Sequence, residues 1–216
     1  MKRIIIICEG QTEQEFCKDV LYPYLFARGI LILHPLIKKS NGGIVSWYHL
    51  KKQIEGHLKE DTGALTTTFI DYYGTQEKHS FPKWAEGLAI PDKGDRLTFL
   101  EASMKADIDA SVSHRFIPYI QLHEFEGLLF NDVEVFKQHI PVNELLDVAE
   151  LNRIIYQNPN PELINDGHET APSKRLKKLV LGYSKRIYGP ILAEAIGLER
   201  IMEKCPRFKQ WIVSFS

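Results

Sequence analysis

Four consecutive isoleucines, in the stretch "RIIIIC" at residues 3–8, restrict this chain more than any other feature. Isoleucine is stiff at χ1 and suits strands, and this run does not alternate with polar residues, so it predicts a strand covered on both faces. Strands of that kind belong to parallel sheets with helices on either side. The run is too short for the apolar core of a signal peptide or for a membrane span.

The residues that follow extend the pattern. Thr12 and Glu15 have capping-box spacing, and Phe16, Val20, Leu21 and Leu25 recur at helical spacing until Gly29 ends the helix. "ILILHPLI" (30–37) predicts a second strand, which Pro35 shortens or places at an edge. Beyond the loop "KKSNGGIVS" come a helix over 46–60 and a third strand, "LTTTFID" (65–71). Residues 72–95 carry Gly, Pro and charge without any period and predict a long loop of the functional or mobile kind. A helix over 95–111 and a fourth strand over 115–122 come next; helical periodicity resumes near Glu124 and again after Asn131, where Asn131 and Glu134 repeat the capping-box spacing.

Strands alternating with helices predict an α/β fold with a parallel sheet. After about residue 140 the pattern turns mainly helical, with breaks predicted at 158–172 and at "YGP" (188–190). The expected organisation is an α/β core over 1–140 and a helical extension over 141–216, packed as one structural unit. A length of 216 residues with 44% hydrophobic content is enough for one sizeable core.

In open parallel sheets, ligands sit beyond the carboxyl ends of the strands. The first predicted strand ends at Glu9, the third at Asp71, and the fourth at His123 and Glu124. Carboxylates gathered at one edge repel unless a proton or cation compensates, which points to Mg2+ or Mn2+. Independent helix caps and lysine pairs are the plainer alternative. Glu13 and Glu15 have sufficient explanations in the helix start. Glu9, beside Gly10, has none.

In "HEFEGLLF", Glu124 and Glu126 diverge if a helix begins at once, so one of the two reaches a metal. His123 reads more readily as a satisfied buried histidine than as a ligand, and the spacing is not HExxH. In "TAPSKRLKKL", Ser173 can cap a helix whose first turns carry Lys174 and Arg175, a fit for phosphate or simply a solvated basic face.

The net formal charge of −1 provides no global field for nucleic acid or membrane, so a polyanion must meet a local patch. Three cysteines without CxxC spacing argue against a disulfide framework or a cysteine zinc site, and place the chain in a reducing cytoplasm.

Taken in order, "EGQTE", "DYYG", "HEFEGLLF", "PELINDGHETAPSKRL", "GP", "IGLE" and "CPRFKQW" resemble the DUF4276 family across nearly the whole chain. That family looks like a branch of the TOPRIM-like proteins, the metal-binding α/β domain of topoisomerases, primases and OLD-type nucleases. The resemblance implies a TOPRIM-like sheet and a Mg2+- or Mn2+-dependent nuclease acting on DNA or RNA. Glu9, Asp71 and Glu124 or Glu126 would hold the metal. Lys174 and Arg175 would face the phosphate, and Gly10, Glu13, Tyr73 and His123 would support the site.

The usual Asp-x-Asp signature is Asp71-Tyr72-Tyr73 here, so the second acid must come from Glu124 or Glu126 if it comes at all. The resemblance also implies a prokaryotic, anti-phage setting with an ABC- or AAA-type ATPase partner, because the chain has no GxxxxGK[ST] of its own. The alternatives it leaves are a non-catalytic subunit that docks on such an ATPase and a toxin-like RNase acting on tRNA. No membrane partner is expected, and self-association is left open.

Overall fold

A computed structural model of the chain describes residues 1–38, 43–165 and 167–215. The isoleucine run forms β1 (Lys2–Cys8), and Ile4, Ile5, Ile6 and Ile7 are all buried. Helix α1 (Gln11–Phe16) passes through a π-helical segment, Cys17–Leu21, into α2 (Tyr22–Phe26). The remaining elements of the α/β part are β2 (Ile30–Leu33), α3 (Trp47–Glu60), β3 (Ala64–Asp71), α4 (Trp84–Leu88), α5 (Lys93–Asp107), β4 (Phe116–Ile117) and β5 (Ile120–Gln121). After them come α6 (Val133–His139), α7 (Val148–Gln157), α8 (Pro172–Leu179), α9 (Lys185–Ile196), α10 (Leu198–Lys204) and α11 (Pro206–Val213).

The sheet is parallel throughout, in the order β2-β1-β3-β4, with β5 continuing the β4 position beside β3. Strand β2 is therefore an edge strand, and just beyond it Pro35 accepts from the Cys8 N–H at 2.9 Å and costs no ladder hydrogen bond. On one face of the sheet α3 and α5 bury Leu50, Ile54, Leu97 and Leu100 against Ile5 and Ile7. On the other, Ile4, Ile6 and Phe16 share a single core with Leu192, Phe208 and Trp211 of the C-terminal helices. The helical extension is thus the second layer of the sheet's own core.

Several local expectations give way to specific contacts. The predicted fourth strand splits at Pro118, which has no N–H to donate. Thr68 spans the gap, its hydroxyl donating to the Tyr119 carbonyl at 2.9 Å and accepting from the Tyr119 N–H at 3.1 Å. The 72–95 stretch is not irregular along its length, because Phe81 and Trp84 are buried and anchor α4.

The "YGP" break does not occur, since α9 runs through Gly189 and Pro190. Gly189 sits where α9 packs on α1. A Cβ there would lie 3.1 Å from Thr12 Cγ2, close enough that the neighbour must give, and at ordinary contact distance, 3.5 Å, from Phe125 Cε1.

Candidate metal and phosphoryl-transfer site

Two helix starts near the strand ends differ from their predicted caps. Gly10, not Thr12, is the N-cap of α1, and Glu13, not Glu15, reaches back to accept from the Gly10 N–H at 2.9 Å. Asp132, not Asn131, caps α6 by accepting from the Glu134 N–H at 2.9 Å. Asn131 is instead buried and donates to the Arg200 carbonyl.

The first shift has a consequence for chemistry. It turns Glu13 inward, so that its side chain is only 3% exposed beneath the end of β1.

At the carboxyl ends of β1 and β3 four acids gather about one ammonium. Glu9 Oε2 accepts from the Asp71 N–H at 2.9 Å, which locks the two strand ends together. Asp71 Oδ1 accepts from the Phe125 N–H at 3.0 Å. Lys185 Nζ, in the first turn of α9, lies 3.1 Å from Glu13 Oε1, 3.3 Å from Glu126 Oε2 and 3.6 Å from Asp71 Oδ2. Glu13 Oε1 and Glu126 Oε2 are buried, and neither accepts a well-directed hydrogen bond from the protein. Their neighbour is the ammonium charge.

The backbone around His123 decides which glutamate arrives. His123 takes a left-handed φ of 68°, and its carbonyl accepts from the Tyr73 N–H at 2.9 Å. This bend precedes an extended Glu124 and a 3-10 turn, Phe125–Leu129. Glu126 falls inside that turn and faces Lys185, with 3% of its side chain exposed.

Glu124 is held by Ser173. Its carboxylate accepts from the Ser173 N–H at 2.9 Å and the Ser173 hydroxyl at 3.0 Å, at the start of α8. The α8 cap is Ala171, so Ser173 holds Glu124 and does not cap the helix. His123 is buried, with Nε2 at 3.5 Å from Lys93 Nζ.

The basic residues expected to meet phosphate, Lys174 and Arg175, lie in the first turn of α8 beside Ser173. Arg175 donates to the backbone carbonyls of Thr170 and Ile164, which secures the 161–171 segment to α8. Lys174 is half-buried, and among the described residues it makes no ion pair with the four acids. Tyr73, 37% exposed, follows Tyr72, whose hydroxyl accepts from Arg96 at 3.1 Å.

Lys185 is the residue that sequence reasoning missed. A lysine in the first turn of a helix opposes the helix dipole, and α9 has no acid in that turn to offset it. That mismatch in "SKRIYGP" was the available signal.

The electrostatics are those of a cluster short of positive charge. Burial pushes Glu9 up to about 7, with the Asp71 N–H and Lys185 pulling against it and the Glu13 charge adding to it. Burial, then Glu13, Glu9 and Glu126, hold Asp71 well above the carboxylate range despite Lys185. Burial would lower the Lys185 ammonium, but Asp71, Glu13 and Glu126 outweigh it and hold it well above its ordinary value.

If Glu9, Glu13, Asp71 and Glu126 all ionise, one ammonium faces four negative charges, and protons or a further cation must supply the balance. Hard carboxylate oxygens, two of them buried without a directed donor, suit Mg2+ or Mn2+ in kind. With Lys185 among them, no group of three or more His, Cys, Asp or Glu among the described residues is set to hold a metal ion as it stands. Metal entry would require the ammonium to give way.

The model of a family described as "Domain of unknown function (DUF4276)" matches residues 8–215, a span that includes every residue of this cluster. The chain belongs to the DUF4276 family. No curated protein and no solved structure matches it. For this DUF4276 chain the reading of function therefore rests on the site itself. Among the described residues, no helix is long and apolar enough to cross a membrane.

Proposed function

We propose that this protein is a Mg2+- or Mn2+-dependent phosphodiesterase of the TOPRIM-like kind, cutting DNA or RNA in the prokaryotic cytoplasm together with an ATPase partner. One observation carries the reading: Glu9, Glu13, Asp71 and Glu126 meet at the carboxyl ends of adjacent parallel strands, with two buried carboxylate oxygens that face the Lys185 ammonium and no backbone donor. In a fold of this class that edge is where ligands bind. Glu13, Asp71 and Glu126 would hold the divalent ion, with Glu9 beside them. The ion would supply Lewis-acid polarisation of a phosphoryl group.

The chain's own residues supply the rest. Glu9, held near neutrality, can take or return a proton at working pH. Lys185, if a divalent ion took its place among the carboxylates, would offer its positive charge to a phosphate oxygen. The net charge of −1 suits a subunit whose partner grips the nucleic acid. The test is cleavage of single- and double-stranded DNA and RNA with and without Mn2+. Activity should be lost in Glu9→Gln and Asp71→Asn while the fold persists; equal activity in wild type and both variants would overturn the proposal.

A second reading has its own support. Lys185 already acts as counter-ion, and Tyr73 stands where the signature has its second aspartate, which favours a non-catalytic subunit that docks on an ATPase. In that case Mn2+ gives no binding heat with the wild type.

A further inference from the structure

A second polar cavity lies between α3 and the segment that follows β2, on the opposite face of the sheet from the C-terminal helices. Its volume is about 330 Å3, within the roughly 300–1,000 Å3 range of small-ligand sites. Lys38, His49, Lys52, Gln53, Gly56 and His57 line it, and the one carboxylate in the lining, Glu60, has its side chain 79% exposed.

Buried Gln53 builds the wall. Its carbonyl oxygen accepts from the Lys38 N–H at 2.8 Å, and its amide donates to the Leu36 carbonyl at 3.0 Å. The same segment is tied to Cys8, the residue before Glu9, through the Ile37 N–H at 2.9 Å.

Three features point to an anionic occupant. Lys38 and Lys52 both line the cavity, and neither is ion-paired among the described residues. His57 Nε2 is buried with no hydrogen-bond partner, although the ring's Nδ1 is 4.0 Å from Glu60. Burial pushes the His57 imidazole below its ordinary value, with the Glu60 carboxylate pulling against it and the Lys38 charge adding to it.

Gly56 is the third feature. It sits in the interior of a 14-residue helix, where glycine is less favourable than alanine. Yet a Cβ there would meet nothing within 4 Å. The fold does not require glycine at this position, and a close-approaching ligand would.

We propose that this cavity binds a phosphate ester, with Lys38 and Lys52 supplying charge, His57 Nε2 a directed donor and Gly56 an open floor. The phosphate belongs either to a free nucleotide or to a nucleic-acid strand, and the site operates independently of metal at the acid cluster.

The experiment is a calorimetric titration at low salt with three probes: inorganic phosphate, AMP and a ten-nucleotide single-stranded DNA. Saturable binding of phosphate and AMP assigns a nucleotide site; binding of the oligonucleotide only assigns a strand site. In either case Gly56→Leu, which fills the floor, and Lys52→Glu should each weaken binding about tenfold or more, while Asp71→Asn binds as the wild type does. Thermal melting of Gly56→Leu checks that the helix is intact, and Lys52→Glu, at an exposed position, carries the test by itself if it is not. No saturable binding by any probe, or binding unchanged in both pocket variants, overturns the proposal.

Discussion

Two groups of buried glutamates lie in this molecule, and they are built in opposite ways. Beneath α11, Glu162 is 1% exposed, yet both its oxygens are answered: Oε2 accepts from the Arg207 N–H at 2.9 Å and Oε1 from the Phe208 N–H at 3.1 Å. Nearby Glu101 accepts from the Ile120 N–H at 2.9 Å and from the Arg207 guanidinium at 2.8 Å. At the strand ends, Glu13 and Glu126 are as deeply buried, but each keeps one oxygen with only an ammonium charge beside it.

Burial of a carboxylate is thus common to a structural clamp and to a candidate site. The difference lies in how the carboxylate oxygens are met, by directed backbone N–H donors at Glu162 and by one shared ammonium at Glu13 and Glu126.

The contrast can be broken by substitution. The largest effect is expected for Lys185→Met, which leaves the strand-end acids without their counter-ion and should lower stability by about 2–4 kcal/mol near neutral pH. Urea denaturation should show part of this loss recovered at pH 5, below the raised value of about 7 for Glu9; an equal loss at both pH values would mean that the acids are not coupled to Lys185. Glu162→Gln places an amide against two backbone donors and should cost about 1–3 kcal/mol, with Mn2+ binding unchanged.

The pH dependence has a definite sign. Glu9 rises from 4.5 to about 7 on folding, so between those values the native state holds a proton that the unfolded chain has released. Its contribution is present below about 4.5 and is lost as pH rises toward 7. The melting temperature in metal-free buffer should fall across that window, and Glu9→Gln should flatten the slope. The smallest effect is assigned to Glu124→Gln, which keeps an acceptor for Ser173 and should change stability by about 1 kcal/mol or less.

Much of the α/β architecture was legible because it depends on local pattern. "RIIIIC" and "LTTTFID" announce buried parallel strands, and Asp71 closes the second of them as expected. The site was legible only in part. Glu9 and Asp71 follow from strand ends, whereas Glu13 is expected at the helix start and in a supporting role only, because the true cap, Gly10, moves the capping box two residues toward the strand.

The choice of Glu126 over Glu124 depends on a single left-handed residue, His123, and on Ser173 arriving from a segment 49 residues away. Lys185 comes from the second layer of the core, and no local pattern records which strand end a distant helix will cover. The dipole mismatch at the start of α9 is the one trace of it in the sequence.

The central claim is that the strand-end acids, with Glu13 among them and Glu124 outside, form a divalent-cation site. Calorimetric titration of Mn2+ into wild type, Glu13→Gln and Glu124→Gln tests it most directly, since glutamine at position 13 can still accept from the Gly10 N–H and so preserves the helix start. The account predicts saturable Mn2+ binding in wild type and Glu124→Gln and its loss in Glu13→Gln. Undiminished binding in Glu13→Gln, or loss in Glu124→Gln, would contradict it.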